Sequence, residues 1–272
     1  MKIFKNRYSL FKEISSKRNL SFVPTMGGFH KGHEYLIKKA KKKIGKTIVS
    51  IYVNPKQFNS KIDFKSYPRE LNKDLKILKK LKVDYVYLPS NKDIYGFNPK
   101  KKVFLHVFCK KLCGQFRRKH FPGVINVINR FLEIIKPKFI FLGKKDFQQL
   151  FLISKHIKKR RINSSVISCK TIRERNGIAC SSRNKNLSVN EKKIASSVFY
   201  YTQNIKKKIR KNKKIDLNNE KIFRDIKKIG VKKIDYFKLL NINNISKPKS
   251  FKENFNIFLA YYIGKTRLID NV

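Results

Sequence analysis

The sequence predicts an α/β protein, a Rossmann-like doubly wound parallel sheet followed by a second, smaller α+β C-terminal domain. Three observations predict it. Short β-branched and aromatic runs alternate with lysine-faced segments of helical period from residue 20 to residue 170. The first of those runs opens into a glycine-rich turn that leads into a helical pattern. After Asn184 the texture changes, and two lysine-rich helical stretches precede three β-like runs.

Taken in order, "LSFVPT" (20–25) reads as a strand and "GHEYLIKKAKKK" (32–43) as a helix. "TIVSIYVN" (47–54) is a second strand, "PRELNKDLKILKKLK" (68–82) a helix and "VDYVYLP" (83–89) a third strand. This β-α-β-α-β order calls for parallel pairing through right-handed crossovers. The pattern resumes with a strand over "VFLHVF" (103–108) and a helix over "GVINVINRFLEIIK" (123–136) that stops before Pro137. A strand over "KFIFLG" (138–143), a helix through "DFQQLFLISKHIKKR" (146–160) and a strand over "SSVISCK" (164–170) complete it. Beyond the boundary region Arg175 to Leu187, helical stretches run from Glu191 to Lys211 and from Leu217 to Ile229. The runs "VKKIDYFKLLN", "FNIFLAYYIG" and "TRLID" then read as strands. The expected domains are 1–175 and 176–272.

A chain of 272 residues with 41% hydrophobic residues has enough apolar side chain for a real core. Its 67 Lys and Arg against 17 Asp and Glu leave a formal net charge of +50, which raises the question of a polyanion partner. The lysines are spread along the chain, as in Lys38, Lys39, Lys41, Lys42 and Lys43, so they read as solvated helix faces and not as a dedicated nucleic-acid site. The abundance of Lys, Asn, Ile and Phe also matches an AT-rich coding sequence. Four cysteines at irregular spacing fit neither a disulfide framework nor a zinc site. No stretch reaches the ~18 apolar residues of a membrane span, and the first residues lack an apolar core of signal-peptide length, so a cytosolic protein without membrane contact is expected.

The chemistry concentrates in "FVPTMGGFHKGHEYLIKKA", Phe22 to Ala40. In a doubly wound sheet the loop after the first strand lies at a ligand crevice, and the next helix points unpaired N–H groups at it. Glycines at 27, 28 and 32 permit close approach of backbone to an anion. His30 and His33, three apart, then share a face at the helix start with their imidazoles aimed at the same phosphate. The plainer alternative is a capping histidine beside an exposed one.

"PTMGGFHKGH" resembles the signature of the H-x-G-H nucleotidyl-transferases. Four more blocks narrow the resemblance to the pantothenate synthetase (pantoate–β-alanine ligase) family: "SIYVNPKQFN", "YPREL", "FLGKKDFQQL" and "GIACSSRNKNLS", with the closing "TRLIDN" in agreement. That family joins pantoate to β-alanine at the expense of ATP through a pantoyl-adenylate. Both nucleophiles belong to substrates, so the enzyme's part is orientation and stabilisation of charge on the α-phosphate.

The resemblance implies His33 as proton donor, His30 as its partner and Lys145 on the phosphate. It further implies an ATP site of Met26, Gly27, Gly28, Phe29, His30, Lys31, Gly32, His33, Gly143, Lys144, Lys145, Asp146, Ile172, Cys180, Ser181, Ser182 and Arg183. Asp146 is expected on the ribose hydroxyls, and Ser181, Ser182 and Arg183 on the outer phosphates. Gln57 and Gln149 are expected to hold pantoate, and Gln57 also β-alanine. Mg²⁺ is implied with ATP and usually rides on substrate phosphates; Asp74 is the one candidate for a protein ligand. A homodimer and a C-terminal domain closing over the nucleotide are implied as well.

Three positions depart from the family pattern. Arg117-Arg118-Lys119-His120-Phe121 stands where Arg-Pro-Gly-His-Phe is usual, Lys144 replaces a glutamate, and Asn176-Gly177 replaces Asp-Gly. Two other readings compete: a different H-x-G-H transferase, which has no reason to keep both glutamines, and a basic nucleic-acid-binding protein, whose affinity falls steeply with salt.

Overall fold

Residues rich in Val, Ile, Phe and Tyr form strands because branched and aromatic side chains suit a pleated surface buried against neighbours. The computed structural model describes residues 1–211, 218–250 and 252–272, and the chain divides into two compact units, Met1–Thr171 and Ile172–Val272.

In the first unit the elements run β1 (Lys2–Phe4), α1 (Arg7–Ile14), β2 (Ser21–Thr25), α2 (Lys31–Lys41) and β3 (Thr47–Ile51). They continue with α3 (Lys61–Lys65), α4 (Leu71–Lys80), β4 (Tyr85–Tyr87), α5 (Asn91–Tyr95), α6 (Cys113–Phe116), α7 (His120–Ile135), β5 (Phe139–Gly143), α8 (Phe147–Lys159) and β6 (Ser165–Cys169). The six strands are hydrogen-bonded in the order β1-β4-β3-β2-β5-β6, and every pairing is parallel.

Strand side chains alternate between faces, so one β run feeds two layers. Val23, Val49, Val86 and Phe141 join Ile37, Ala40 and Leu78 in one core. On α7 the buried residues Phe121, Val124, Ile125, Ile128, Phe131, Leu132 and Ile135 fall at helical spacing. Phe131 meets Phe22 on β2, Tyr52 just past β3 and Tyr87 on β4, with ring centroids 5.4, 6.2 and 6.1 Å away. Each fully buried Ile or Phe of this kind contributes on the order of 1.5–3 kcal/mol.

The structure corrects three details. "VFLHVF" is not a strand; a 3₁₀ turn occupies Val107–Lys110, and the preceding residues bond to helix side chains instead of to a sheet. Phe104 donates its N–H to His156 Nδ1 (3.1 Å), Val103 C=O accepts from Arg160, and Lys101 C=O accepts from Asn129. With its backbone groups satisfied this way, the segment needs no neighbouring strand. Helix α7 begins at His120, three residues early, because Pro122 sits in the first turn, where a missing N–H costs nothing. β1 and α1 escape the sequence pattern because an edge strand of three residues carries no period; β1 pairs with β4.

In the second unit, α9 (Val189–Arg210) and α10 (Asn219–Lys228) pack on an antiparallel sheet of β7 (Lys233–Asn241), β8 (Phe255–Ile263) and β9 (Thr266–Asn271) in that order. Ser188 and Glu191 form a capping box that starts α9. Leu217, the expected start of the second helical stretch, lies outside the described residues.

Candidate functional site

Because all six strands of the first sheet are parallel, their carboxyl ends share one edge. From β2 the chain steps to β3 and β4 on one side, then returns to place β5 on the other side of β2. That reversal is a topological switch point, where the loops leaving neighbouring strands diverge and open a crevice. The segments Met26–His33 after β2, Asn54–Gln57 after β3 and Lys144–Gln149 after β5 all leave from this edge.

The turn after β2 is braced from within. Gly27 has φ +80°, and a Cβ there would lie 2.8 Å from Asp74 Oδ2, so only glycine fits. Asp74, 2% exposed, accepts the N–H groups of Gly28 (2.8 Å) and Phe29 (2.9 Å), one on each carboxylate oxygen. His30 caps α2 by accepting the Gly32 N–H on Nδ1 (3.1 Å). Three amides of this turn, at 28, 29 and 32, are therefore bonded to side chains of the protein itself. Both Asp74 oxygens thus take part in holding this turn.

His30 and His33 stack, ring centroids 4.0 Å apart and planes at 30°. His30 thus caps the helix and also shares a face with His33, which is not the exposed partner of the plainer alternative. Because His30 Nδ1 is an acceptor, its neutral ring carries the proton on Nε2. His33 Nδ1 is enclosed and has no hydrogen-bond partner among the described residues. Burial, helped by the positive charge of Lys145, pushes the His33 pKa down to about 4. The ring is neutral at pH 7.

Lys145 lies 3.6 Å from Asp146 Oδ1 in the 3₁₀ turn between β5 and α8. Lys144 beside it is exposed. The two following glutamines do different work. Gln148 is spent on the backbone of another loop, accepting from Cys113 N–H (3.1 Å) and donating to Phe108 and Lys111 C=O (2.8 and 2.7 Å). Gln149 is half-buried in the first turn of α8.

Gln57 ends a 3₁₀ turn that Asn54 caps. Its Nε2 donates to Met26 Sδ (2.8 Å), which joins the loops after β2 and β3. Its Oε1 accepts from Asn54 Nδ2 (3.2 Å), and its C=O is bonded to His120 Nδ1 (3.0 Å). Gly123 lets α7 approach this turn, since a Cβ there would lie 2.3 Å from Lys56 C=O.

In the second unit, Ile172 C=O accepts from Cys180 N–H (2.9 Å), closing a loop through Gly177. Arg173 grips Asp270 with two nitrogens (2.6 and 2.9 Å) and also donates to Gly177 and Asn271 C=O. The closing "TRLIDN" is thereby tied to the start of the unit. Ser181 caps the turn Ser182–Asn186 by accepting the Arg183 N–H (3.3 Å), which groups two hydroxyls and a guanidinium within three residues.

The family model described as Pantoate-beta-alanine ligase matches residues 2–272. The chain belongs to the pantoate-beta-alanine ligase family. Within that family it is 40% identical over 255 residues to the pantothenate synthetase of Ruthia magnifica subsp. Calyptogena magnifica, covering 94% of this chain and 91% of that protein. The pantoate-beta-alanine ligase of Francisella tularensis, solved in complex with beta-gamma ATP and beta-alanine, superposes with a TM-score of 0.84 at 37% identity, over 100% of this chain and 97% of that one. A pantothenate synthetase structure from Thermus thermophilus gives a TM-score of 0.90 at 26% identity, over 100% and 99%.

Against the pantoate-beta-alanine ligase pattern, two of the three departures have an evident structural basis, and nothing in the structure explains Lys144. Asn176 Oδ1 accepts from Ile178 N–H (3.2 Å), as the carboxylate oxygen of an aspartate is also able to do, while Gly177 supplies φ +85°. In the Arg-Arg-Lys-His-Phe segment His120 still reaches Gln57, and Arg117 lies 3.8 Å from Asp63. Sequence reasoning missed Asn54 and the inward role of Asp74. Asn54 stands before Pro55, a recognisable capping position; nothing local in the sequence pairs Asp74 with residue 28.

Proposed function

We propose that the chain condenses (R)-pantoate with β-alanine through a pantoyl-adenylate. In the first step a pantoate carboxylate oxygen bonds to the α-phosphorus of ATP, and the bond to the β-phosphate oxygen breaks to release pyrophosphate. In the second, the β-alanine amine attacks the adenylate carbonyl, loses a proton, and AMP leaves with the bonding pair. The observation that carries this reading is the convergence, at the switch point of a ligase-family chain, of stacked His30 and His33 with Lys145 and with Gln57 bonded to Met26.

His30 offers Nε2–H and Lys145 a positive charge to the α-phosphate, where negative charge builds in the transition state. His33 is neutral in the ligand-free chain; the nucleotide's charge raises its proton affinity and so equips it as a donor. Gln57 and Gln149 present neutral amides to pantoate, holding it without over-stabilising its carboxylate before attack. Gly143, Lys144 and Asp146, at the carboxyl edge of the first sheet, are suited to shape the seat for adenosine and ribose. Ser181, Ser182 and Arg183 are donors suited to the outer phosphates. Mg²⁺ enters on the ATP phosphates. A cytoplasmic homodimer acting on these small molecules alone, with neither nucleic acid nor membrane as partner, completes the reading; no described helix is long and apolar enough to cross a membrane.

The test is exchange of labelled pyrophosphate into ATP by the purified protein. Exchange with pantoate and Mg²⁺ alone, with multiple-turnover AMP release only after β-alanine is added, is the expected result. Exchange that needs β-alanine from the start means a concerted route and overturns the adenylate.

A further inference from the structure

Gln57 is useful to a substrate only if its amide faces one way, and the protein decides which way from behind the site. Asn54 is 1% exposed and held at both ends by groups whose polarity is not in doubt. Its Oδ1 meets the backbone N–H of Lys56 (3.2 Å), which can only donate; its Nδ2 meets the backbone C=O of Gly123 (3.1 Å), which can only accept. The Nδ2 group therefore also donates to Gln57 Oε1, and the Gln57 carbonyl is held inward while its NH₂ turns towards Met26.

The remaining partner of Asn54 is Tyr95, at the end of α5, whose hydroxyl donates to Asn54 Oδ1 at 2.8 Å. Tyr95 is itself fixed. The Lys56 ammonium lies 3.9 Å from its ring centroid, and the Arg130 guanidinium lies 5.0 Å away on the strength of bonds to Asn126, Ile94 C=O and Phe97 C=O. Burial raises the phenol pKa to about 12, so the proton stays on oxygen.

We propose that Tyr95 is a positioning residue for the substrate acid: through Asn54 its hydroxyl fixes Gln57 so that the NH₂ group, and not the carbonyl oxygen, is the one offered to a pantoate oxygen. The proposal rests on the functional reading above for the identity of the acid; the orientation of Gln57 does not.

Tyr95→Phe deletes only the hydroxyl and is tested by two measurements. In the ligand-free protein labelled with ¹⁵N-glutamine, the Gln57 side-chain NH₂ resonances are expected to shift and broaden as Asn54 loosens; unchanged resonances overturn the proposal whatever the enzyme's substrate. In the exchange assay, Tyr95→Phe is expected to raise the KM for pantoate by about 3–10-fold, the scale of one hydrogen bond, with kcat and the KM for ATP unchanged. The same substitution placed on Gln57→Ala is expected to add nothing. An equal rise in both backgrounds overturns the relay, because Tyr95 then acts without Gln57. If Gln57→Ala leaves pantoate kinetics untouched while the Tyr95→Phe resonances still move, the positioning of Gln57 stands and its role as a pantoate contact is what fails; absence of pantoate-dependent exchange in the unsubstituted protein is the outcome that overturns the functional reading.

Discussion

Asp74, on α4, reaches back to hold the Gly28 amide of the turn after β2 at 2.8 Å, with Phe29 on its other oxygen. A buried carboxylate thus shapes the turn that carries the histidine pair.

Removing the carboxylate tests this bracing. Asp74→Ala leaves two buried N–H groups unpaired at about 1–3 kcal/mol each, and a fall in stability of several kcal/mol is expected in urea unfolding. Asp74→Asn keeps one acceptor and should lose roughly half as much. Equal losses for both mean that charge, not hydrogen bonding, holds the turn.

His33→Ala and Lys145→Ala are each expected to lower pantoate-dependent exchange by about 10²-fold or more, the scale of losing one preorganised donor. Unfolding midpoints should change little for Lys145→Ala. Lys144→Ala, at the exposed neighbour, is expected to be mild. Comparable losses at 144 and 145 place the phosphate contact in the wrong register.

Gln57→Ala and Gln149→Ala are expected to raise the KM for pantoate by about 10–100-fold, for one or two hydrogen bonds lost, and to leave the KM for ATP nearly intact. Varying the two substrates separately in steady state checks it. A parallel loss of ATP affinity moves these glutamines to the nucleotide.

The His33 pKa of about 4 in the free chain has burial as its first cause and Lys145 as its second. A bound triphosphate adds negative charge, so an NMR titration with a non-hydrolysable ATP analogue should move the midpoint up by about one unit or more. No movement separates His33 from the phosphates.

His156 sets part of the acid sensitivity of the fold. It is fully buried, accepts the Phe104 N–H on Nδ1 and is bonded through Nε2 to Asn129 Oδ1 (2.9 Å), so the ring is neutral with one tautomer. Burial, then Arg160, pushes its pKa down to about 4. The unfolded ring, with an ordinary value of 6.5, binds a proton first. Stability is therefore complete above about pH 6.5 and falls as pH drops towards 4, by up to about 3 kcal/mol from this group. In His156→Gln, which does not titrate, the loss of melting temperature between about pH 7.5 and 4.5 should be visibly smaller. An unchanged slope excludes the ring as its source.

Much of this protein is legible locally. The alternation of β runs with lysine-faced helices carries the parallel sheet, because strand and helix periods are written in consecutive residues. Glycine at 27 and 177 marks backbone with positive φ, and the order of the motif blocks along the chain carries the family. What only the tertiary structure decided lies in bonds between distant residues: Asp74 with Gly28, His156 with Phe104, Arg173 with Asp270, Tyr95 with Asn54. The segment 103–108 shows the reason. Its pattern suits a strand, but a backbone N–H donates to whichever acceptor the fold brings near, and here that acceptor is an imidazole 52 residues away. Likewise nothing in the glycine turn's own residues shows that a carboxylate from another helix holds its Gly28 and Phe29 amides. Local sequence sets which conformations are cheap; long-range packing decides which polar groups are already bonded, and so which side chains remain to meet a substrate.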